Sequence, residues 1–111
     1  LSRIIYAESG NQPLDGKIAV GNVVLNRVAS PRFPNSVYEV IFQRNQFTPA
    51  ANGSINRTPS AESVVAAKLC LDGANTAGSA LYFVNPTVAP GSWASRNRPY
   101  VATIGAHAFY G

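Results

Sequence analysis

The first ten residues place apolar side chains on one face of a predicted helix. Leu1, Ile4 and Ile5 lie at positions i, i+3 and i+4 of that face, and Gly10 suits the position just after the last turn. The next position on the same face is Glu8, where a fourth apolar residue would complete the stripe. The pattern therefore predicts a short buried helix with one carboxylate out of place.

A second helix is predicted to begin at Leu14, or one residue earlier, and to stop near residues 29–30, before two prolines. It is apolar almost all round, which indicates a central helix with neighbours on most sides. Gly21 would let another backbone approach closely. Asn22 and Asn26 share a face, and buried amides need partners, so we expect this pair to hold a neighbouring loop rather than a ligand.

A short third helix follows the capping sequence Ser36-x-x-Glu39, which explains Glu39 as a structural residue. Residues 43–49 are predicted to form a polar loop, and residues 50–57 a surface excursion rich in turns. The predicted inner face of the third helix consists of Val37, Val40 and Ile41.

A fourth helix is predicted to start with Thr58 as N-cap and Pro59 as its first residue, and to end at Asp72–Gly73. Cys70 lies in the apolar run of this helix and is interpreted as a small core residue. The predicted apolar positions of the helix are Ala61, Val64, Val65, Ala67, Leu69 and Leu71.

The pattern changes after Gly78 from helical to β-prone. Residues 80–84 predict a short strand, residues 85–99 a long loop, and residues 100–110 a hairpin in which Gly105 supplies the positive φ of a two-residue turn. We therefore predict one α+β domain over residues 1–111, with about four helices followed by a short antiparallel sheet.

Composition narrows the classes of function. Nine Lys and Arg residues against five Asp and Glu give a net charge of +4, which favours anionic partners. The basic residues form no run, so nucleic acid is not an expected partner. One Cys and one His offer no metal-ligand cluster, and we expect neither a metal nor a cofactor. With no Met and no membrane-spanning stretch, we expect a monomeric domain excised from a longer exported protein.

Glu8 is the one acid that no structural role explains. Glu39 is assigned to a cap, and Asp15, Glu62 and Asp72 lie at the ends of predicted helices, where they would be solvated. Partial burial and the carbonyl end of the helix dipole would both raise the pKa of Glu8, which suits a general acid. The alternative, in which Glu8 faces water or acts as a cap, stays open at this point.

A single acid fits glycosidic bond cleavage in which the substrate supplies its own nucleophile better than it fits hydrolysis. Hydrolytic glycosidases normally use two carboxylates about 5–9 Å apart, and the sequence offers no obvious second one. If the sugar's own hydroxyl traps the cation-like sugar, Glu8 can act first as acid and then as base, and an anhydrosugar forms. A Ser-His-Asp triad is not supported, because no Ser has a nucleophile-elbow context.

A glycan groove would also need flat aromatic faces with amide or hydroxyl groups. Structural alternatives exist for these residues, because aromatics more often belong to a core, Asn85 before Pro86 would form a turn, and His107 would be a hydrogen-bonded structural residue. Trp93 lies among Gly, Ser, Pro and Asn residues, which favours ligand contact. The candidates are Gln46, Phe47, Thr48, Tyr82, Asn85, Trp93, Tyr100 and His107.

Six motifs occur in order between about Ile4 and Tyr110. They are Ala7-Glu8, Gly16-x-x-Ala-Val-x-x-Val-x-Leu-Asn-Arg-Val28, Phe33-Pro34, Gln46-Phe-Thr48, Ala80-Leu-Tyr-Phe-x-Asn-Pro86 and Ile104-Gly-x-His-x-Phe-Tyr110. This collinear set resembles the catalytic domain of the SleB-type cell-wall hydrolases, a family that includes spore cortex-lytic enzymes. The family's usual opening is closer to Glu-Ala-Arg-Gly-Glu, whereas this chain has Glu8-Ser-Gly-Asn-Gln12, so an amide replaces the second acid.

The resemblance implies a small lysozyme-like fold and a lytic transglycosylase that cleaves peptidoglycan between N-acetylmuramic acid and N-acetylglucosamine. It implies a secreted or envelope-located enzyme of the bacterial cell wall or spore cortex. It also implies Glu8 as the catalytic residue, with substrate contacts from residues 46–48, residues 82–85 and His107. The alternatives are a hydrolytic muramidase or glucosaminidase on the same substrate, and a non-catalytic peptidoglycan-binding module.

Overall fold

The computed structural model describes residues 1–111 and confirms an α+β fold, in which five helices precede a three-stranded antiparallel sheet and a sixth lies between its first two strands in chain order. The helices are α1 (Ser2–Ser9), α2 (Leu14–Ala29), α3 (Val37–Phe42), α4 (Thr48–Asn52), α5 (Ala61–Leu71) and α6 (Trp93–Asn97), with a 3-10 turn at Ser54–Asn56. The strands are β1 (Tyr82–Val84), β2 (Tyr100–Ile104) and β3 (His107–Tyr110). None of the helices combines the length and apolarity needed to cross a membrane.

The α2 helix is central, as its sequence predicts. It packs against α1, α3 and α5, and Val20, Val23 and Val24 are fully buried. The close approach at Gly21 is confirmed, although the neighbour is a side chain of α5 rather than a backbone. A Cβ atom at Gly21 would lie 2.6 Å from the Sγ atom of Cys70, and Cys70 is buried in the core as predicted.

The two asparagines of α2 hold the segment that follows α5, which confirms their predicted role. The Nδ2 group of Asn22 donates to the carbonyl of Ala74 (2.8 Å), and its Oδ1 atom accepts from the backbone N–H of Thr76 (2.9 Å). The Nδ2 group of Asn26 donates to the carbonyl of Ala80 (2.9 Å). These bonds satisfy polar backbone groups beside the core and fix the chain on its way into β1.

The α1 helix lies between two hydrophobic clusters. Ile5 belongs to a cluster with residues of α2, α5 and the sheet, including the fully buried Phe109. Ile4 belongs to a second cluster with residues of α3 and the 3-10 turn, including Val40 and Ile55. Adjacent isoleucines thus anchor the short α1 helix on two sides.

The cap of the third helix is confirmed, and the start of the fourth predicted helix is wrong by two residues. The backbone N–H of Glu39 donates to Ser36 Oγ (3.1 Å) at the start of α3. In α5 the N-cap is Ser60, whose Oγ atom accepts from the backbone N–H of Ser63 (3.2 Å), so neither Thr58 nor Pro59 belongs to the helix. Ser is a better N-cap residue than Thr, so Ser60 is the stronger cap of the two.

The predicted buried face of α5 is also partly wrong. Val65 and Leu71 are exposed, and the buried side chains are small, because α5 packs closely on α2 at Gly21. Two short helices, α4 and α6, replace parts of the predicted loops, so the structure has six helices instead of about four. The buried residues of α5 are Ser63, Ala66, Ala67 and Cys70.

The sheet has the order β1-β3-β2, with the predicted hairpin formed by β2 and β3. Gly105 has a φ of 59°, which confirms the predicted need for a positive φ at the turn. The strand predicted over residues 80–84 is shorter and spans Tyr82–Val84. It pairs with β3, so that Phe83 lies opposite Phe109.

Candidate active site

Glu8 lies in the last turn of α1, on the helix that the two isoleucines anchor. Ile4 and Ile5 are fully buried, whereas Glu8 is partly buried at the end of the same face. Gly10 follows the last turn of the helix as predicted, in a right-handed conformation (φ −56°, ψ −26°) that does not itself require glycine. Glycine is needed for space instead, because a Cβ atom would lie 2.6 Å from the carbonyl oxygen of Tyr6.

A surface depression of about 420 Å³ opens at Glu8, and we call it the Glu8 depression. It gives a ligand room beside the carboxyl group. The guanidinium of Arg57 lies 5.5 Å from the ring centre of Tyr6 at this site. The sequence reasoning missed both residues, because Tyr6 lies off the apolar stripe and Arg57 comes from a distant segment. The lining residues are Tyr6, Ala7, Glu8, Gly10, Asn11 and Arg57.

Burial raises the pKa of Glu8, as the apolar stripe predicts. The carboxyl group forms no ion pair, since the one ion pair of the structure joins Lys17 and Glu62. No ion pair therefore counteracts the loss of hydration, and burial shifts Glu8 towards its protonated form relative to an exposed glutamate. The site holds an acid that can donate a proton at a higher pH than an exposed glutamate can.

The other four acids lie outside the Glu8 depression. Glu39 takes part in the cap of α3, and Asp15 and Asp72 are exposed at helix ends, as predicted. Glu62 is exposed too, but it also accepts a hydrogen bond from the buried Lys17 Nζ (2.7 Å). The depression thus offers one carboxyl group and no carboxylate pair.

Three of the predicted substrate-binding residues come together at a second place, around the side chain of Arg27. The Tyr82 and Trp93 rings are 5.5 Å apart in an edge-to-face arrangement, and Arg27 Nη1 donates to Gln46 Oε1 (3.1 Å). Phe33 extends this group, with its ring centre 6.0 Å from that of Tyr82. We call Phe33, Tyr82 and Trp93 the aromatic cluster. The side chain of Trp93 is 56% exposed, which leaves a surface on which a sugar ring can stack.

Two other predicted contacts are buried. Phe47 lies in the second hydrophobic cluster. His107 is buried beside Phe83, with 5.2 Å between ring centres. Burial lowers the pKa of His107, and its Nδ1 atom has no hydrogen-bond partner. Neither residue lines the Glu8 depression.

The remaining candidates have visible local roles. Asn85 Oδ1 accepts from the backbone N–H of Thr87 (3.0 Å), which is the turn that Asn before Pro suggests. Thr48 is exposed at the start of α4, and the Tyr100 hydroxyl bonds to Thr103 Oγ1 (2.7 Å) on β2. None of the predicted substrate-binding residues lines the Glu8 depression.

Comparison with known proteins gives a consistent result. Residues 11–110 match the sequence model of a family described as Cell Wall Hydrolase. Spore cortex-lytic enzymes of Bacillus cereus and Bacillus subtilis are 39% and 38% identical to this chain over 109 residues, or 98% of its length. Those alignments include Glu8, which lies just before the family match. The chain spans 42% and 35% of the two relatives.

Solved structures agree with this assignment. The catalytic domain of the germination-specific lytic transglycosylase SleB from Bacillus anthracis superposes with a TM-score of 0.91 at 39% identity, covering 99% of this chain and 89% of that one. The catalytic domain of the Bacillus cereus SleB protein gives a TM-score of 0.90 at the same identity, with 99% and 85% coverage.

Proposed function

The chain belongs to the cell wall hydrolase family, and from this membership and the site we propose that it is a lytic transglycosylase of peptidoglycan. The observation that carries the proposal is one partly buried carboxyl group with a raised pKa, alone in a surface depression. The names of the similar proteins, spore cortex-lytic enzyme and lytic transglycosylase, support peptidoglycan as the substrate. The enzyme would then act outside the cytoplasm, in the cell envelope or the spore cortex.

In the first step, the protonated Glu8 donates its proton to the oxygen that joins N-acetylmuramic acid to N-acetylglucosamine. The bond between that oxygen and C1 of N-acetylmuramic acid breaks, and N-acetylglucosamine leaves with a free hydroxyl group. Burial helps this step because it raises the pKa of Glu8 and so increases the fraction of the acid that carries a proton.

In the second step, Glu8 is a carboxylate and accepts the proton of the C6 hydroxyl of the same N-acetylmuramic acid. The C6 oxygen bonds to C1, so a 1,6-anhydro sugar forms and Glu8 is protonated again. No water is consumed. One carboxyl group serves both steps, whereas a hydrolytic glycosidase ordinarily needs a second one about 5–9 Å away, and the Glu8 depression contains none.

Replacing Glu8 with Gln tests the role of this residue. The amide cannot donate a proton as an acid, so we expect the cleavage rate to fall by about 10²–10⁴-fold while the fold is retained. Release of soluble fragments from purified peptidoglycan measures the rate. Asp72→Asn removes an exposed acid far along the chain and should keep the wild-type rate. A Glu8→Gln variant that digests peptidoglycan like the wild type would disprove the mechanism.

Mass spectrometry of the products tests the reaction type. Anhydromuramic ends are expected from spore cortex and vegetative peptidoglycan digested side by side, and the faster substrate identifies the preferred wall. Reducing ends would show hydrolysis instead. Firm binding to intact sacculi without any released fragment would show a binding module.

A further inference from the structure

We propose that Arg27 is a positioning residue that turns the amide group of Gln46 outward, as a hydrogen-bond donor for the glycan beside Tyr82 and Trp93. This inference rests on the proposed function, because it takes a peptidoglycan strand as the substrate. It adds a place outside the Glu8 depression where that strand binds. It follows from the surroundings of one buried side chain on α2.

Arg27 joins three segments of the chain. Its side chain is nearly fully buried, with 5% of the residue exposed. The Nε group donates to the carbonyl of Leu81 (2.7 Å), just before β1, and the Nη1 group donates to Gln46 Oε1 (3.1 Å) in the segment before α4. A planar guanidinium with its donors in a fixed fork suits such a double contact, and an ammonium group does not.

Aromatic rings surround the same guanidinium. Its central carbon lies 4.7 Å from the ring centre of Phe33, 5.3 Å from that of Phe47 and 5.4 Å from that of Tyr82. These are cation–π distances. Arg27 therefore fixes the backbone before Tyr82, the ring of Tyr82 and, through that ring, the packing of Trp93 at 5.5 Å.

Packing in the core does not by itself account for this arginine. Arg27 is a buried cation without a carboxylate partner, since the one ion pair joins Lys17 and Glu62. Burial lowers its pKa to about 10, which still leaves it charged at neutral pH. A buried charge is costly, and an apolar side chain of similar size often stabilises a fold at least as well. What an apolar residue could not provide is the pair of directed hydrogen bonds.

The bond from Arg27 decides which end of the Gln46 amide faces solvent. Oε1 is held by the guanidinium, so Nε2, which makes no hydrogen bond within the chain, points away from it. Gln46 is exposed. The preceding Asn45 has a φ of 64° and is the one residue other than glycine with a positive φ, which fixes the backbone just before Gln46. An outward NH₂ group beside aromatic faces matches a sugar, which presents hydroxyl and acetamide oxygens as acceptors.

The first test replaces Gln46 with Glu and measures binding to insoluble peptidoglycan by co-sedimentation, in the Glu8→Gln background that prevents digestion. The new carboxylate accepts from Arg27 at least as well, so the melting temperature should stay or rise. The outward donor is lost, so binding should weaken by about threefold to tenfold, the value of one hydrogen bond. Asn45→Asp is the matched control, because it adds the same charge next door and Asp tolerates a positive φ.

The two binding results decide the inference. Weaker binding by Gln46→Glu, with Asn45→Asp at the level of its parent, confirms an oriented donor at Gln46. Equal weakening in both variants, or none in either, overturns it. This readout does not depend on cleavage, so failure of the wild type to digest peptidoglycan would refute the proposed function separately.

The second test replaces Arg27 with Lys in the otherwise unchanged chain. Lysine keeps the positive charge but loses the planar guanidinium that donates to Leu81 and Gln46 together. KM for peptidoglycan fragments should therefore rise about threefold to tenfold, while kcat stays within about twofold. Arg44→Lys, at an exposed site nearby, should change neither constant. Loss of kcat at constant KM would overturn the positioning role. If Arg27→Lys folds poorly, the Gln46→Glu result decides alone.

Discussion

At the scale of the residue, Glu8 combines a structural disadvantage with its proposed role as an acid. It occupies the end of an apolar face whose other members, Ile4 and Ile5, are fully buried. Burial raises the pKa of Glu8 above its reference value of 4.5, which means that the ionised form destabilises the fold. In the proposed mechanism, the same shift makes a proton more available for the leaving oxygen. If Glu8 has the proposed role, function and stability oppose each other at this residue.

The pH dependence of stability should report this conflict. In the pH range between the unfolded and folded pKa values of Glu8, the native state binds more protons, so its free energy of unfolding falls as pH rises through that range. Glu8→Gln has no such titration. It should be more stable than the wild type at neutral pH, and the difference should shrink as pH falls through the same range towards 4.5.

Denaturant unfolding of both proteins from pH 4 to pH 8 measures this difference. A Glu8→Gln variant that is less stable at neutral pH would mean that the carboxylate has a stabilising partner, contrary to its surroundings in the structure.

At the scale of the element, the contact between α2 and α5 depends on the absence of a side chain. A Cβ atom at Gly21 would lie 2.6 Å from Cys70 Sγ and 3.0 Å from Ile5 Cδ1. The thiol in turn donates to the carbonyl of Ile18 (3.3 Å). Burial raises the pKa of the Cys70 thiol to about 11, so it is protonated at neutral pH.

Gly21→Ala should therefore destabilise the fold although alanine favours helices. Overpacking of this kind costs about 1–3 kcal/mol, against a helix-propensity gain of about 1 kcal/mol. Adding Cys70→Ala to Gly21→Ala should recover part of the loss, since it removes the nearer obstacle. Urea unfolding of the two single variants and the double variant gives the coupling. Additive effects would show that the two sites are not in contact.

At the scale of the whole molecule, the position of Glu8 depends on contacts between distant parts of the chain. The turn after α1 is attached to the β2–β3 turn, because Gln12 Oε1 accepts from the backbone N–H of Ala106 (2.8 Å). The buried Lys17 holds the same turn from α2 by donating to the carbonyl of Gln12 (2.5 Å). In the sequence motif that resembles the SleB-type hydrolases, Gln12 replaces a second acid. In the structure, its side chain accepts a hydrogen bond.

Substitutions at Gln12 test whether this position needs a hydrogen-bond acceptor or is sensitive to a negative charge. Gln12→Ala removes the acceptor and should lower the free energy of unfolding by about 1 kcal/mol. Gln12→Glu keeps an acceptor oxygen and should stay close to the wild type in both stability and cleavage rate. Thermal unfolding and peptidoglycan digestion measure these effects. If Gln12→Glu were as unstable as Gln12→Ala, the hydrogen bond to Ala106 would not explain the residue.

Sequence reasoning was most successful where local signals and burial agree. The extent of α2, the cap at Ser36, the hairpin around Gly105 and the misplaced acid Glu8 each follow from a few neighbouring residues. It was least successful for α4 and α6, which have five residues each. Helices this short form only with support from the rest of the fold, so a local pattern carries little signal for them.

The sequence by itself determined the α+β class, the central helix and the single acid, because apolar periodicity and capping are properties of neighbouring residues. Only the tertiary structure decided that small residues of α5 face α2, that Arg57 borders the Glu8 depression, and that Arg27 holds Gln46 beside Tyr82. These pairings join residues far apart in the chain. They depend on how the helices and loops pack against one another, and no local sequence pattern encodes that packing.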